Sequence, residues 1–175
     1  MGTMGSLMAT NKPTFSIWVR CAVTTSGQSP IGGYNAGANT AIAIVLNKNS
    51  AGSDEVGSIG LYMRDEDGNE LHAAVNGDTG ITDGAWHHLA VHFDGPNNLC
   101  IVYLDGAAQT VTHRLTNTPD NFANFARNVY IGASAAGTPS SLLAGSIDDV
   151  RIYNSIKTAI QVRNIYESTK WRYQT

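Results

Sequence analysis

Apolar and polar residues alternate with a period of two through most of this sequence, in short runs closed by clusters of Gly, Asn, Asp, Ser and Pro. That period puts one side of each run into a core and the other toward solvent, which is the pattern of half-buried strands rather than helices. The runs predict strands over Thr14–Val23, Ala41–Leu46, Ser58–Arg64, Glu70–Val75, His87–Phe93, Leu99–Leu104, Ala108–His113, Val129–Ile131 and Ser146–Tyr153. Many short strands separated by turn signals predict an all-β, antiparallel two-sheet β-sandwich. Asp67-Gly68 and Asp105-Gly106 sit between such runs as hairpin turns, where glycine supplies a positive φ. The stretches Ser26–Asn39 and Thr116–Asn128 are dense in turn residues and read as exposed loops.

One helix interrupts the pattern. Thr158 and Gln161 have the T-x-x-Q spacing of a capping box, and Val162, Ile165 and Tyr166 follow at helical spacing. A short C-terminal helix to about Ser168 is therefore expected to lay its apolar side on the sandwich.

At 175 residues the chain fits one domain spanning 1–175. Charged residues make up 14% and the formal charge is −3, so the basic footprint of a nucleic-acid binder is missing. No apolar run approaches the roughly 20 residues of a membrane-spanning helix, and the first residues lack the basic and apolar regions of a secretory signal. Cys21 and Cys100 are too few for a disulfide scaffold or a zinc site, and both lie in β-like runs, which predicts buried, inert thiols over a bridge.

Five blocks carry a resemblance. They are Phe15-Ser16-Ile17-Trp18-Val19-Arg20, Asp83-Gly84-Ala85-Trp86-His87-His88-Leu89-Ala90-Val91, Val102-Tyr103-Leu104-Asp105-Gly106, Val129-Tyr130-Ile131-Gly132 and the run from Ala144 to Asn154. In order and spacing they resemble the laminin-G-like, concanavalin A-like jelly-roll family. The resemblance implies the same sandwich with its trailing helix, but the family's early strands are abbreviated, with only Met1–Asn11 to replace them. An uncovered sheet edge follows, and with it the expectation of a homo-oligomer or larger assembly in which the N-terminal segment takes part.

The fold hosts binders and hydrolases alike, so chemistry has to be read from residues. The E-x-D-x-x-E run of the fold's glucanases is absent, and no catalytic residue is assigned. The acidic cluster Asp65-Glu66-Asp67-Gly68-Asn69-Glu70 contains a hairpin turn and reads as a solvated tip. Its 1, 3, 5 spacing lacks the glycine and terminal glutamate of an EF-hand. His88 and His92 stand about 13 Å apart along one strand and His87 faces the other way, which predicts ordinary strand residues with solvent or backbone partners. Trp18 and Trp86 read as packing residues.

Asp148 shares parity with Val150 and Ile152, so it is expected to point inward, where its carboxylate must be capped, paired with arginine or coordinated; Asp149 is expected outside with Arg151. No cofactor is required, but the resemblance implies a structural calcium as one role for Asp148. The resemblance also implies a non-catalytic binding or assembly module that recognises a glycan or a protein surface. Tyr34, Asn35 and Asn39 in one loop, and Asp120, Asn121 and Phe122 in the other, are its candidate ligand-binding residues. The alternatives are a structural virion component, such as a phage tail fibre or head-decoration subunit, and, less favoured, a polysaccharide hydrolase. A virion or an extracellular surface is the expected setting.

Overall fold

The computed structural model describes residues 10–22, 26–33, 40–121, 129–135 and 139–173. Its strands in chain order are β1 (Thr14–Cys21), β2 (Gln28–Gly33), β3 (Ala41–Lys48), β4 (Asp54–Arg64), β5 (Glu70–Val75), β6 (Trp86–Asp94), β7 (Leu99–Leu104), β8 (Ala107–Ala108), β9 (Thr112–Thr116), β10 (Tyr130–Ile131), β11 (Ser134–Ala135), β12 (Pro139–Ser140) and β13 (Gly145–Tyr153). Helix α1 (Ala159–Thr169) closes the chain. A five-stranded antiparallel sheet of order β13-β1-β6-β7-β8 faces a six-stranded one of order β10-β2-β3-β4-β5-β9, while β11 and β12 form a separate ribbon.

The alternation does what its period demands. Phe15, Ile17 and Val19 of β1 meet Leu89, Val91 and Phe93 of β6, Ile42, Ile44 and Leu46 of β3, and Ile59, Leu61 and Met63 of β4 in one apolar core between the sheets. Burying each such side chain contributes roughly 1.5–3 kcal/mol, so this layer dominates the stability. Cys21 and Cys100 are buried free thiols within it. The Asp105-Gly106 turn takes positive φ at both residues, 50° and 77°, the conformation that matches the twist of a tight hairpin.

The structure departs from the sequence expectations at several segments and residues. The segment 28–33, expected as loop, is β2, paired with β3 on one side and β10 on the other. The run expected as one strand over 108–113 is two: β8 pairs with β7 in one sheet and β9 with β5 in the other. Asp65 does not lie on a solvated tip but is fully buried.

Asp148, expected inward, is exposed. The cause is a bulge: Ser16 pairs with Arg151 but Trp18 with Asp148, so β13 carries one extra residue, and Asp149 takes φ 47°. The extra residue shifts the parity, and Ile147, Val150 and Ile152 all reach the core.

Helix α1 begins as its spacing predicts. Thr158 Oγ1 accepts from Gln161 N at 3.2 Å, and Gln161 Oε1 accepts from Thr158 N at 2.9 Å. It crosses the outer face of the five-stranded sheet. Trp18 Nε1 donates to Thr169 Oγ1 at 2.9 Å, and the Trp18 ring stacks with Tyr166 and Tyr173. Among the described residues no helix is long and apolar enough to cross a membrane.

Candidate functional site

With one outer face roofed by the helix, the other broad face, on the six-stranded sheet, holds the polar cluster that stands out. The residues of β3, β4 and β5 that alternate with the core residues point here. Register sets Ala43 beside Tyr62 and Tyr62 beside His72 in one row, and Arg64 beside Glu70 in the next. Ala43 and Gly60 keep the β3 side of this surface low, while Tyr62, Arg64, Glu70 and His72 rise beside it.

A single carboxylate organises the cluster. Glu70 Oε1 accepts from the Tyr62 hydroxyl at 3.1 Å and lies 3.3 Å from Arg64 Nε, while Oε2 lies 3.4 Å from His72 Nε2. The His72 ring meets the Tyr62 ring edge-on, 4.3 Å between centroids. Burial holds His72 below its usual pKa against the pull of Glu70, so it is neutral at pH 7. Burial, and then Glu70, push the Tyr62 hydroxyl well above the ordinary tyrosine range, so it remains a donor.

Beside the cluster opens a hollow of about 150 Å³ lined by Val45, Lys48, Ser50, Gly60, Tyr62 and His72 among others. Its wall is the turn after β3. Asn47, at φ 61°, breaks the register between Leu46 and Lys48 and folds the strand end over β4. A Cβ at position 60 would stand 2.8 Å from the Lys48 carbonyl oxygen, so only glycine permits this approach. Lys48 is paired with Asp54 at 2.8 Å, and Arg114 of β9 donates to the Ala51 carbonyl at 3.2 Å, which ties the turn to the sheet edge.

The residues singled out from sequence fall elsewhere. Tyr34, Asn35, Asn39 and Phe122 lie outside the described residues. Asp120 and Asn121 belong to a structural clamp: Asp65 accepts from the backbone N–H of Asp67, Asn69, Asp120 and Asn121 and from the Asn69 side chain, at 2.8–3.4 Å. The Asn121 side chain donates to Asp67 at 2.8 Å. This clamp sits past the ends of β4 and β9, at the Arg64–Glu70 end of the polar cluster.

Asp148, for which the resemblance implies a structural calcium, is engaged within the chain. Its two oxygens accept from Asp149 N and the Tyr173 hydroxyl, and among the described residues no group of three acidic, histidine or cysteine side chains could hold a metal. Asp149 instead forms a two-pronged pair with Arg151, both bonds 2.7 Å.

His87 bridges Asp83 and Asp105. His88 and His92, expected to find solvent or backbone partners, are buried beneath the C-terminal segment, His88 sharing a 2.9 Å hydrogen bond with Ser16 Oγ.

A laminin-G family model, described as the concanavalin A-like lectin/glucanases superfamily, matches residues 3–163. The chain belongs to this superfamily. No curated protein sequence matches it.

Among solved structures, this superfamily member is similar to the CBM40 of the Ruminococcus gnavus IT-sialidase, with a TM-score of 0.67 at 15% identity over 92% of this chain and 85% of that one. Domain 4 of AbnA, an extracellular GH43 arabinanase from Geobacillus stearothermophilus solved with arabinotriose, aligns with a TM-score of 0.62 at 25% identity over 89% and 66%. A heptameric SAP-like pentraxin from Limulus polyphemus aligns with a TM-score of 0.58 at 12% identity over 89% and 69%. The low identities speak to a shared concanavalin A-like fold.

Proposed function

We propose that this chain is a non-catalytic binding module whose ligand is a saccharide seated on the outer face of the six-stranded sheet, over Tyr62 and His72. The observation that carries the reading is the open hollow beside the Tyr62–Glu70–His72–Arg64 cluster. Two aromatic rings offer apolar surface to the C–H side of a sugar ring, while the Tyr62 hydroxyl and the polar side chains of Lys48, Asn49 and Ser50 that line the hollow offer partners for its hydroxyl groups.

Hydrolysis by a retaining mechanism needs two carboxyl groups about 5–5.5 Å apart. Among the described residues the hollow is lined by no carboxylate, and both Glu70 oxygens already face partners. The bound arabinotriose of the arabinanase domain, and the α2,3 sialyllactose bound by the R. gnavus CBM40, support a sugar as the ligand class. The extracellular setting of that arabinanase supports an extracellular one here.

An array of oligosaccharides that includes arabinotriose and sialyllactose, followed by calorimetry on any hit, tests the proposal. Binding that drops at least about tenfold in both Tyr62→Ala and His72→Ala, with the far-UV spectrum unchanged, is expected. Binding indifferent to both substitutions, or turnover of the bound saccharide, would overturn it.

A further inference from the structure

The outer face of the five-stranded sheet is sealed by the segment that follows β13, and the seal is thin. Only Val162 and Thr169 of α1 are buried. Val162 joins Ala90 and Tyr103 in a small apolar cluster of its own, apart from the core between the sheets. Further toward β13 the cover is held by backbone acceptors: Thr14 donates its hydroxyl to the Ser155 carbonyl at 2.8 Å and Thr10 to that of Asn154 at 2.6 Å.

Beneath this cover lies His92, 1% exposed, with neither ring nitrogen hydrogen-bonded among the described residues. Its neighbours supply no free acceptor charge. Register places Thr14 of β1 on one side and Ile101 of β7 on the other, and the Tyr103 ring leans on it at 5.3 Å. From the cover comes a cation, Lys157, poised 4.3 Å over the Tyr153 ring. The next acidic residue along β6, Asp94, is held by Lys12 at 3.1 Å and by Asn97. His88, four residues earlier and touching Tyr166 of α1, bonds Ser16 through Nε2 while its Nδ1 has no partner among the described residues, and burial pushes it down to about 4 as well.

We propose that residues 154–173 form an acid-released cover with His92 as its trigger. Protonating His92 sets a second cation beside Lys157 in a site where, among the described residues, nothing bonds either ring nitrogen. The cover then lifts from β1 and β6. Leu89, Val91 and Phe93, which hold β6 to the core, point the other way and stay in place.

Burial, reinforced by Lys157, pushes the His92 ring down to about 4. Once uncovered, the ring returns to its ordinary value of about 6.5. The covered state is therefore at full strength above about pH 6.5 and weakens as pH falls toward 4, by up to about 300-fold in the docking equilibrium across that window.

Hydrogen exchange of the whole chain, followed peptide by peptide from about pH 7.5 to about pH 4.5 and corrected for the intrinsic pH dependence, tests this. Peptides from 154–173 should lose protection as pH falls while peptides from β3 and β4 keep theirs. His92→Leu should reduce that acid dependence markedly, leaving only what His88 contributes, and Lys157→Glu, which gives the protonated ring a partner, should move it to lower pH. Loss of protection in the cover and in β3–β4 at the same pH would overturn the proposal, as would an unchanged acid response in His92→Leu. Should His92→Leu fail to fold, the His92 ring of the native chain can be titrated by NMR. Titration near the ordinary value with the cover still docked would sink the proposal equally.

Discussion

At the scale of single residues, one carboxylate without exposed surface holds two loops. Asp65 answers five N–H groups from the turn after β4 and the segment after β9, and its removal would leave those donors facing a void. Asp65→Ala should therefore lower stability by about 3–5 kcal/mol. Asp149→Ala should cost about 1–2 kcal/mol, through the lost pair with Arg151 and a methyl-bearing residue left at positive φ. Asp148→Ala should cost within about 0.5 kcal/mol. Urea denaturation of the three variants checks the order, and a larger loss for Asp148→Ala than for Asp149→Ala would contradict it.

The inverse order follows from strand parity read off the sequence. The alternation of Asp148 with Val150 and Ile152 holds only without a bulge, and no residue type in Ile147-Asp148-Asp149-Val150 announces one. Asp65 was hidden for a related reason. A carboxylate beside an Asp-Gly turn normally meets water, and what buries it comes from residues 55 positions away.

Among elements, the legible ones were those whose signal is local. The Thr158–Gln161 capping box marked α1, and β5 and β7 fall where the alternation put them. Strand β2 was illegible because Pro30, Gly32 and Gly33 speak for a turn; it is a strand through its neighbours, with Ser134 packed so close to Gly32 that a Cβ would meet it at 2.9 Å. The polar cluster was partly within reach. A two-residue turn at Asp67-Gly68 would pair Tyr62 with Ala73; the loop is one residue longer, closed by Asp65 and Asn69, and that sets Tyr62 beside His72 and Arg64 beside Glu70, while the fold of Lys48 over Gly60 that makes the hollow depends on the bulge at Asn47. Gly60→Ala should push the Lys48 turn off β4, destabilising the fold by about 1–3 kcal/mol, and should weaken saccharide binding. Thermal melts with calorimetry check both, and native stability and affinity in the Gly60→Ala variant would show that the close approach is dispensable.

For the molecule as a whole, the core keeps its chemistry silent. Cys21 and Cys100 lie at opposite ends of their sheet, about 25 Å apart along the strand direction, far beyond the reach of a disulfide. Burial lifts the Cys21 thiol to about 11 and pushes Cys100 higher still. Neither should react with a thiol-directed reagent at neutral pH until the chain unfolds, when both should react together. Mass spectrometry of labelled protein reads this directly, and single labelling of the folded chain would reveal an opening near one cysteine.

The place of β1 also dictates an order of events during synthesis. It is made before both of its neighbours, β6 and β13, and Thr14 bonds Ser155 across 141 residues of sequence. Until Gly145–Tyr153 has been made, one edge of β1 has only water or another nascent chain to pair with. Chains halted before that point are the ones that would stick to one another, and β13 acts as the stitch that closes this edge.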